Sequence, residues 1–479
     1  MTGQSNGAPA LNMPATGIAA HAVLSLAVAA VLAAARFAPA PAAAQVPAAD
    51  ERPANSFSTQ QGSSLERELH EWAVKKEKMD RYLRTAMRRQ GIDMWIILSR
   101  EFNPDPILEL FGGLGISGWY GHRNAYIFRD PGGDAPLERI IFGTHQSDHM
   151  RAFFPLIVSY GEEGLAPHLS DYVRKWRPEH IAINSSKTVA MADGLSAELL
   201  DYLTEAIGNE LSSRLVSSES LVFDYVGTHT PAELEIETAA SQRTWNILRR
   251  AFSNEVITPG ETRLMEVWGW IVDEWKSQHL DFNFPPSLTI YRRGIEQGIG
   301  DGANPVIVSG DLIHVDFGVR LMGLVTDQQH VAYVLHPDET APPAGLQQAF
   351  LQSVRAAEIY VEELVPGQPG VEVKKAVESR AREEGIDALV YGHTQGNWVH
   401  DVGARTVFDW PERYGVFAVK PVGKREFWSI EFRVLASIPE WDGQKVPIQR
   451  EEDAWLDGTG ALTYLTGPQN ELWLIRSDL

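Results

Sequence analysis

Apolar runs of strand length alternate with longer segments of mixed polarity through the first half of the chain. Leu65 to Gln90, with mixed charge, predicts a long helix. Met94-Trp95-Ile96-Ile97-Leu98 is an unbroken apolar run of strand length, which predicts a buried strand. Asn124 to Phe128 and Arg139 to Phe142 follow at hairpin-like spacing. Leu169 to Trp176 predicts a helix, His180 to Asn184 a strand and Gly194 to Ala206 a helix. Leu215-Val216 opens a short strand before Leu221-Val222. Strands alternating with helices predict an α/β domain over residues 65–228.

The second half, residues 229–479, opens on a helix signal: Thr230 as N-cap, Pro231 in the first turn and an acid at Glu233. That helix runs to about Ser253. Pro259-Gly260-Glu261-Thr262 breaks the chain and starts another, to about Gln278. Phe284 to Thr289 resembles a strand that, in a known enzyme family, leads into the site. Gly310 to Gly318 and Gly323 to Asp327 predict two antiparallel strands joined by a turn at Arg320 to Gly323, with β-forming flanks at Leu312 to Val315 and His330 to Leu335. A helix at Gln347 to Leu364, a Pro366–Gly370 turn and a helix at Val371 to Gly385 repeat the earlier plan. The recurrence predicts pseudo-twofold halves and an α+β class for this domain.

Each strand of the predicted hairpin carries one aspartate inside an apolar run, Asp316 and Asp327. A carboxylate there must be paired, protonated or bound to a cation, since burying it bare costs several kcal/mol. Two of them across a hairpin can aim at one point, as oxygen ligands of a hard cation do; two capped or salt-bridged strand ends are the other reading. Later segments add His393 between Gly392 and Gly396, Glu431 in the apolar run Ser429 to Phe432, and the adjacent pair Glu451-Glu452. Of that pair only one can point inward, because strand side chains alternate.

The order Asp, Asp, His, Glu, Glu on these local frames resembles the pita-bread metallopeptidases, which include methionine aminopeptidase, aminopeptidase P, prolidase and creatinase. The resemblance runs from about Thr230 to the end, and more weakly over the N-terminal half, which is similar to the smaller α/β domain of the creatinase and prolidase branch. It implies two divalent ions: Asp316 on one, Asp327 and Glu452 bridging, His393 and Glu431 completing the second, and Glu431 also handling the proton of the attacking water. Arg450 and Asp453 fit the family frame when Glu452 is the ligand, with Glu451 turned outward or to an outer layer. The run Val399-His400-Asp401-Val402-Gly403 resembles prolidase and aminopeptidase P, which implies that His400 faces the substrate and stabilises the tetrahedral intermediate; a structural histidine bonded to Asp401 is the alternative. The chain departs from the family at Gln297 to Asp301, where a substrate-facing histidine is missing, and at Tyr291 to Gly294, which replaces a small polar turn.

Composition narrows the chemistry. The chain of 479 residues has no cysteine, which excludes thiolate ligands, disulfides and thiol catalysis. Any metal is therefore held by carboxylate and imidazole: Mn²⁺ is favoured by oxygen-rich ligation, with Co²⁺, Fe²⁺ and Zn²⁺ open. The net charge of −21, without a block of Lys or Arg, argues against nucleic-acid and anionic-membrane partners. Residues 1–64 carry an apolar run, Ala22 to Ala35, too short to span a bilayer comfortably, then Ala42-Ala43-Ala44 with the small-residue pattern of a cleavage site and a Pro/Ala/Ser/Gln-rich linker. Although no Lys or Arg precedes Arg36, these features predict an export leader, a periplasmic or secreted protein and no stable membrane insertion once the leader is removed. The His and Asp groups of His145 to His149 are expected as loop groups and not ligands.

Three functions follow as expectations. The first is a dinuclear-metal hydrolase of Xaa-Pro aminopeptidase or dipeptidase type, acting on a small peptide or amide. The second is a pita-bread enzyme acting on a non-peptide C–N or other small-molecule bond, and the third a binding module without catalysis. A homodimer is expected from the relatives and from nothing local.

Overall fold

A computed structural model of the chain describes residues 63–112, 122–143, 148–407 and 411–478. Apart from Ser63 and Ser64, the expected leader and linker lie outside the described residues, as do His145 to Ser147. Ser63 caps the first helix through a reciprocal capping box with Glu66. The helical segment is continuous from Ser64 to Arg89, through one π turn at Met79–Leu83. No helix among the described residues is long and apolar enough to cross a membrane.

The N-terminal domain is built on a six-stranded mixed sheet in the order Leu156–Val158, Glu138–Phe142, Arg123–Arg129, Met94–Arg100, Ile181–Ile183, Leu215–Ser217. Its central strand is buried on both faces, so its apolar run serves two cores. Trp95 and Ile97 pack with Phe111, Tyr225 and Val226 on one side. Met94, Ile96 and Leu98 pack with Leu169, Val173 and Leu203 on the other. The predicted helix at Leu169 begins earlier, at Leu165, because Pro167 is tolerated in a first turn. His149 stacks on Trp72 with ring centroids 4.0 Å apart, and its Nε2 lies 3.0 Å from the Gly112 carbonyl.

The second domain, residues 229–479, repeats one plan twice. Helices Pro231–Ala251 and Leu264–Ser277 precede one set of strands, and helices Ala344–Glu363 and Gly370–Glu383 precede another. Thr230 caps its helix as expected, and with Glu233 it closes a reciprocal capping box. The strand expected from Phe284 starts at Ser287, since Pro285 and Pro286 cannot donate to a ladder. Leu312–Phe317 pairs antiparallel with Gln328–Val334. Between them Val319–Leu321 and Leu324–Val325 make a tight hairpin with Met322 and Gly323 at positive φ.

Candidate metal centre

Five chain segments of the second domain break and pass from one sheet to another. Leu312–Phe317 stops before Gly318 and resumes as Val319–Leu321 in a second sheet; Leu324–Val325 stops at Thr326-Asp327 and resumes as Gln328–Val334. In the other half Ala388–Val390 gives way at Tyr391-Gly392 to His393–Gln395, Glu426–Ser429 at Ile430-Glu431 to Phe432–Ile438, and Gln444–Arg450 at Glu451-Glu452 to Asp453–Leu456. Asp316, Asp327, His393, Glu431 and Glu451 sit at or next to these breaks. Where the ladder lapses, side chains from five strands can turn toward one point. Backbones also approach closely: a Cβ on Gly318 would lie 1.8 Å from the Thr326 carbonyl oxygen, and one on Gly392 2.5 Å from that of Ser429.

His393 is the hub. Its Nε2 lies 3.6 Å from Asp327 Oδ2, 3.7 Å from Glu431 Oε2 and 3.7 Å from Glu451 Oε1. Asp327, His393 and Glu451 offer ligand atoms all within 4.8 Å of one another. Asp316 belongs to the same cluster electrostatically, raising Asp327, Glu431 and Glu451 in turn. Burial pushes Asp316 up to about 7, and burial with mutual repulsion lifts Asp327, Glu431 and Glu451 well above the carboxylate range. Burial, with His400 and Arg405 nearby, holds His393 well below its ordinary value, so its imidazole is neutral and able to ligate.

The residues fit a divalent metal site on chemical grounds. Four carboxylates and one neutral imidazole converge without a protein cation among them, and Asp316 Oδ1, Asp327 Oδ1 and His393 Nε2 are buried with no hydrogen-bond partner. Buried acceptors of this kind are costly unless something positive meets them.

The expectation that Glu452 joins this cluster is corrected. Glu452 lies on the other face of its strand, where its Oε1 accepts from Arg450 Nη2 at 2.8 Å and from the Gln469 amide at 2.8 Å. His330 Nδ1 stands 3.9 Å away on that side. Glu451 faces the cluster instead and accepts from the Ser429 hydroxyl. Alternation holds as expected; it puts Glu451 with Asp453 on one face and Arg450 with Glu452 on the other. A buried guanidinium draws the carboxylate two residues along, and that pairing takes Glu452 out of the centre.

Glu431 was expected inside a strand and instead occupies a two-residue break between strands. Its side chain is 14% exposed, against 1% for Glu451 and 2% for His393, so it stands nearest solvent among these three. His400 is exposed, with its ring centroid 4.5 Å from that of His393, and Arg405 Nη2 donates to its carbonyl at 2.9 Å.

Sequence reasoning missed Gln329 and Asp453. Gln329 is the direct cross-strand partner of Asp316, and its Nε2 donates to Glu431 and to Glu451, both at 2.7 Å. Its signal was parity: it follows Asp327 by two in a strand. Asp453 accepts from the Asp327 amide at 2.9 Å and from Gln328 and Gln395, both at 2.6 Å, fixing the backbone under the cluster.

The two departures are structural. Ile299–Gly300 forms an edge strand on Ser287–Tyr291, and the Asp301 carboxylate accepts from the Leu288 amide at 3.3 Å. Arg292 clasps the buried Asp311 through two bonds of 2.7 and 2.8 Å, and Tyr291 bonds to Gln449 at 2.6 Å.

A buried, anionic pocket built for divalent cations at the junction of two helix-backed half-domains defines a metallohydrolase. Residues 236–453 match the sequence profile of Metallopeptidase family M24, which makes this part of the chain a metal-dependent peptidase domain of pita-bread type. It is similar in fold to the X-Pro aminopeptidase of Thermotoga maritima, with a TM-score of 0.61 and 15% identity over 81% of this chain and 99% of that one. The Xaa-Pro dipeptidase of Bacillus anthracis has a TM-score of 0.57 and 17% identity over 84% and 99%. The prolidase of Pyrococcus furiosus has a TM-score of 0.53 and 16% identity over 80% and 98%. No curated protein matches the chain by sequence.

Proposed function

We propose that this chain is a dinuclear-metal exopeptidase that cleaves the bond before proline in short peptides. The observation that carries the dinuclear reading is charge: Asp316, Asp327, Glu431 and Glu451 converge on one neutral imidazole, and four carboxylates balance two divalent ions. Asp316, Asp327, His393, Glu431 and Glu451 are the ligands in this reading. Oxygen-rich ligation without thiolate favours Mn²⁺. Bound there, divalent ions supply Lewis acidity toward a carbonyl and lower the pKa of water.

The chain's own residues do the rest. Glu431, more exposed than Asp327 or Glu451, accepts the proton of the attacking water and returns it to the leaving nitrogen. Gln329 holds Glu431 and Glu451 apart through one amide group, which sets their spacing. His400, beside His393 and open to solvent, donates a hydrogen bond to the oxygen that gains charge as the carbonyl is attacked. The named activities of the structural neighbours and the His400 to Gly403 run support the Xaa-Pro preference. The Ala-rich leader supports export to the periplasm or beyond.

A second reading, hydrolysis of a non-peptide C–N bond, draws on one observation: the segment at Gln297 to Asp301 is an edge strand with no imidazole to grip a peptide. A screen of Xaa-Pro dipeptides and tripeptides against non-proline amides separates the two. Cleavage confined to Xaa-Pro substrates supports the first reading, and turnover of amides alone replaces it with the second.

A further inference from the structure

A line of buried polar groups runs from the first helix to the loop that carries His400. Lys78 is 3% exposed, yet its ammonium reaches no solvent partner: Nζ donates to Glu233 Oε1 at 2.9 Å and to the Val226 carbonyl at 3.0 Å, with His229 Nδ1 at 3.5 Å. Glu233 also closes the capping box of its helix, so its position is fixed by the backbone of Thr230. His229 Nδ1 lies 3.4 Å from Glu233 Oε1, its ring packs on Phe427 at 4.4 Å, and its amide is tied to the Arg425 carbonyl at 2.9 Å. The far edge of that ring meets the loop. A Cβ on Gly396 would fall 2.7 Å from His229 Nε2 and 2.7 Å from Asp401 Oδ2, so both groups press on this glycine and only glycine fits between them.

Asp401 then organises the loop. Its carboxylate accepts from the amides of Asn397 at 3.1 Å and Val402 at 2.6 Å. Val402 is buried in the same apolar core as Tyr225 and Val226. The loop is pinned on its other side by the Val325 amide, which donates to the Gly396 carbonyl at 2.9 Å. His400 is the residue before Asp401.

We propose that Lys78, Glu233, His229 and Asp401 form a buried relay that sets the position of His400 over the carboxylate cluster, which makes Lys78 of the N-terminal helix a positioning residue for the reaction. The inference rests on the reading of His400 as the substrate-facing imidazole. Burying a cation and an anion yields little net stability. A line of buried donors and acceptors does fix geometry, because each member has a single place to sit.

The test is a double-variant cycle on the full, metal-loaded chain. Lys78→Met with Glu233→Gln removes both charges, so no bare charge stays buried. The relay predicts a fall in kcat of about tenfold with KM and metal content unchanged. It also predicts that adding His400→Ala to this pair costs nothing beyond His400→Ala alone. Losses that multiply, or a wild-type kcat for the charge-removed pair, overturn the relay while leaving the role of His400 intact. A wild-type kcat for His400→Ala alone overturns the reading of His400, and the relay with it. Should the charge-removed pair fail to fold, Gly396→Ala carries the same cycle, since its methyl would push His229 and Asp401 from their places.

Discussion

Glu451 and Glu452 are neighbours in sequence, both fully buried and chemically identical, yet they turn to opposite sides of the chain where one strand gives way to the next. On the Glu451 face the partners are acceptors: Asp327, Glu431 and Asp316, with Gln329 and Ser429 as the donors in reach. On the Glu452 face the partners are donors: Arg450, whose guanidinium also lies over Phe350 at 5.2 Å, and the Gln469 amide. One face gathers carboxylates with no protein cation bonded to them, and the other pairs its carboxylate with a buried guanidinium. A carboxylate's role is therefore decided by the charge balance of the face it joins and not by its own burial.

The comparison predicts a graded set of variants. The largest effect belongs to Glu451→Gln. It should cost on the order of a thousandfold in kcat/KM, about 4 kcal/mol, through loss of metal. The apo protein should unfold at the same temperature or higher, since one member of a repelling set is neutralised. Steady-state rates and thermal melts check both halves, and a melting temperature that falls by many degrees would contradict the second.

Glu452→Gln comes next and acts on stability. Removing one partner of a buried pair leaves Arg450 uncompensated, at a cost of about 3 kcal/mol, with the metal site intact. Denaturant titration gives the loss, and unchanged stability would show that Arg450 finds another anion. The third effect is set by pH. Burial, with Arg450 nearby, pulls His330 down to about 3. Its folded pKa lies below its unfolded value, so the stability it contributes is complete above about pH 6.5 and is lost as pH falls toward 3, at up to about 1.4 kcal/mol per pH unit. His330→Gln should flatten that acid limb in melts between pH 6.5 and 4. The smallest effect is Gln329→Leu. It removes the amide between Glu431 and Glu451, and should lower kcat by roughly tenfold while metal is retained. A KM change without a kcat change would argue that Gln329 faces the substrate instead.

Much of the fold was legible because its signals are local. Thr230-Pro231-Ala232-Glu233 is a complete helix start, and Met94 to Leu98 is apolar on both faces as a central strand must be. The aspartates stood out for the same reason: a carboxylate inside an apolar run is a conflict visible without coordinates. The choice between Glu451 and Glu452 was not legible. Alternation states that the two point opposite ways but not which way is in, and that phase is set by Arg450 meeting Glu452 across a core formed from distant residues such as Phe350 and Gln469. Gln329 was passed over because glutamine in a strand raises no conflict. Lys78 was invisible as anything but one more charge on a long helix, because its partner Glu233 lies far along the chain.

The most direct measurement is metal content by elemental analysis after reconstitution, made in parallel on the wild type, Glu451→Gln and Glu452→Gln. Two divalent ions per chain in the wild type and in Glu452→Gln, with fewer in Glu451→Gln, is the predicted result. Full occupancy in Glu451→Gln with loss in Glu452→Gln would contradict the account.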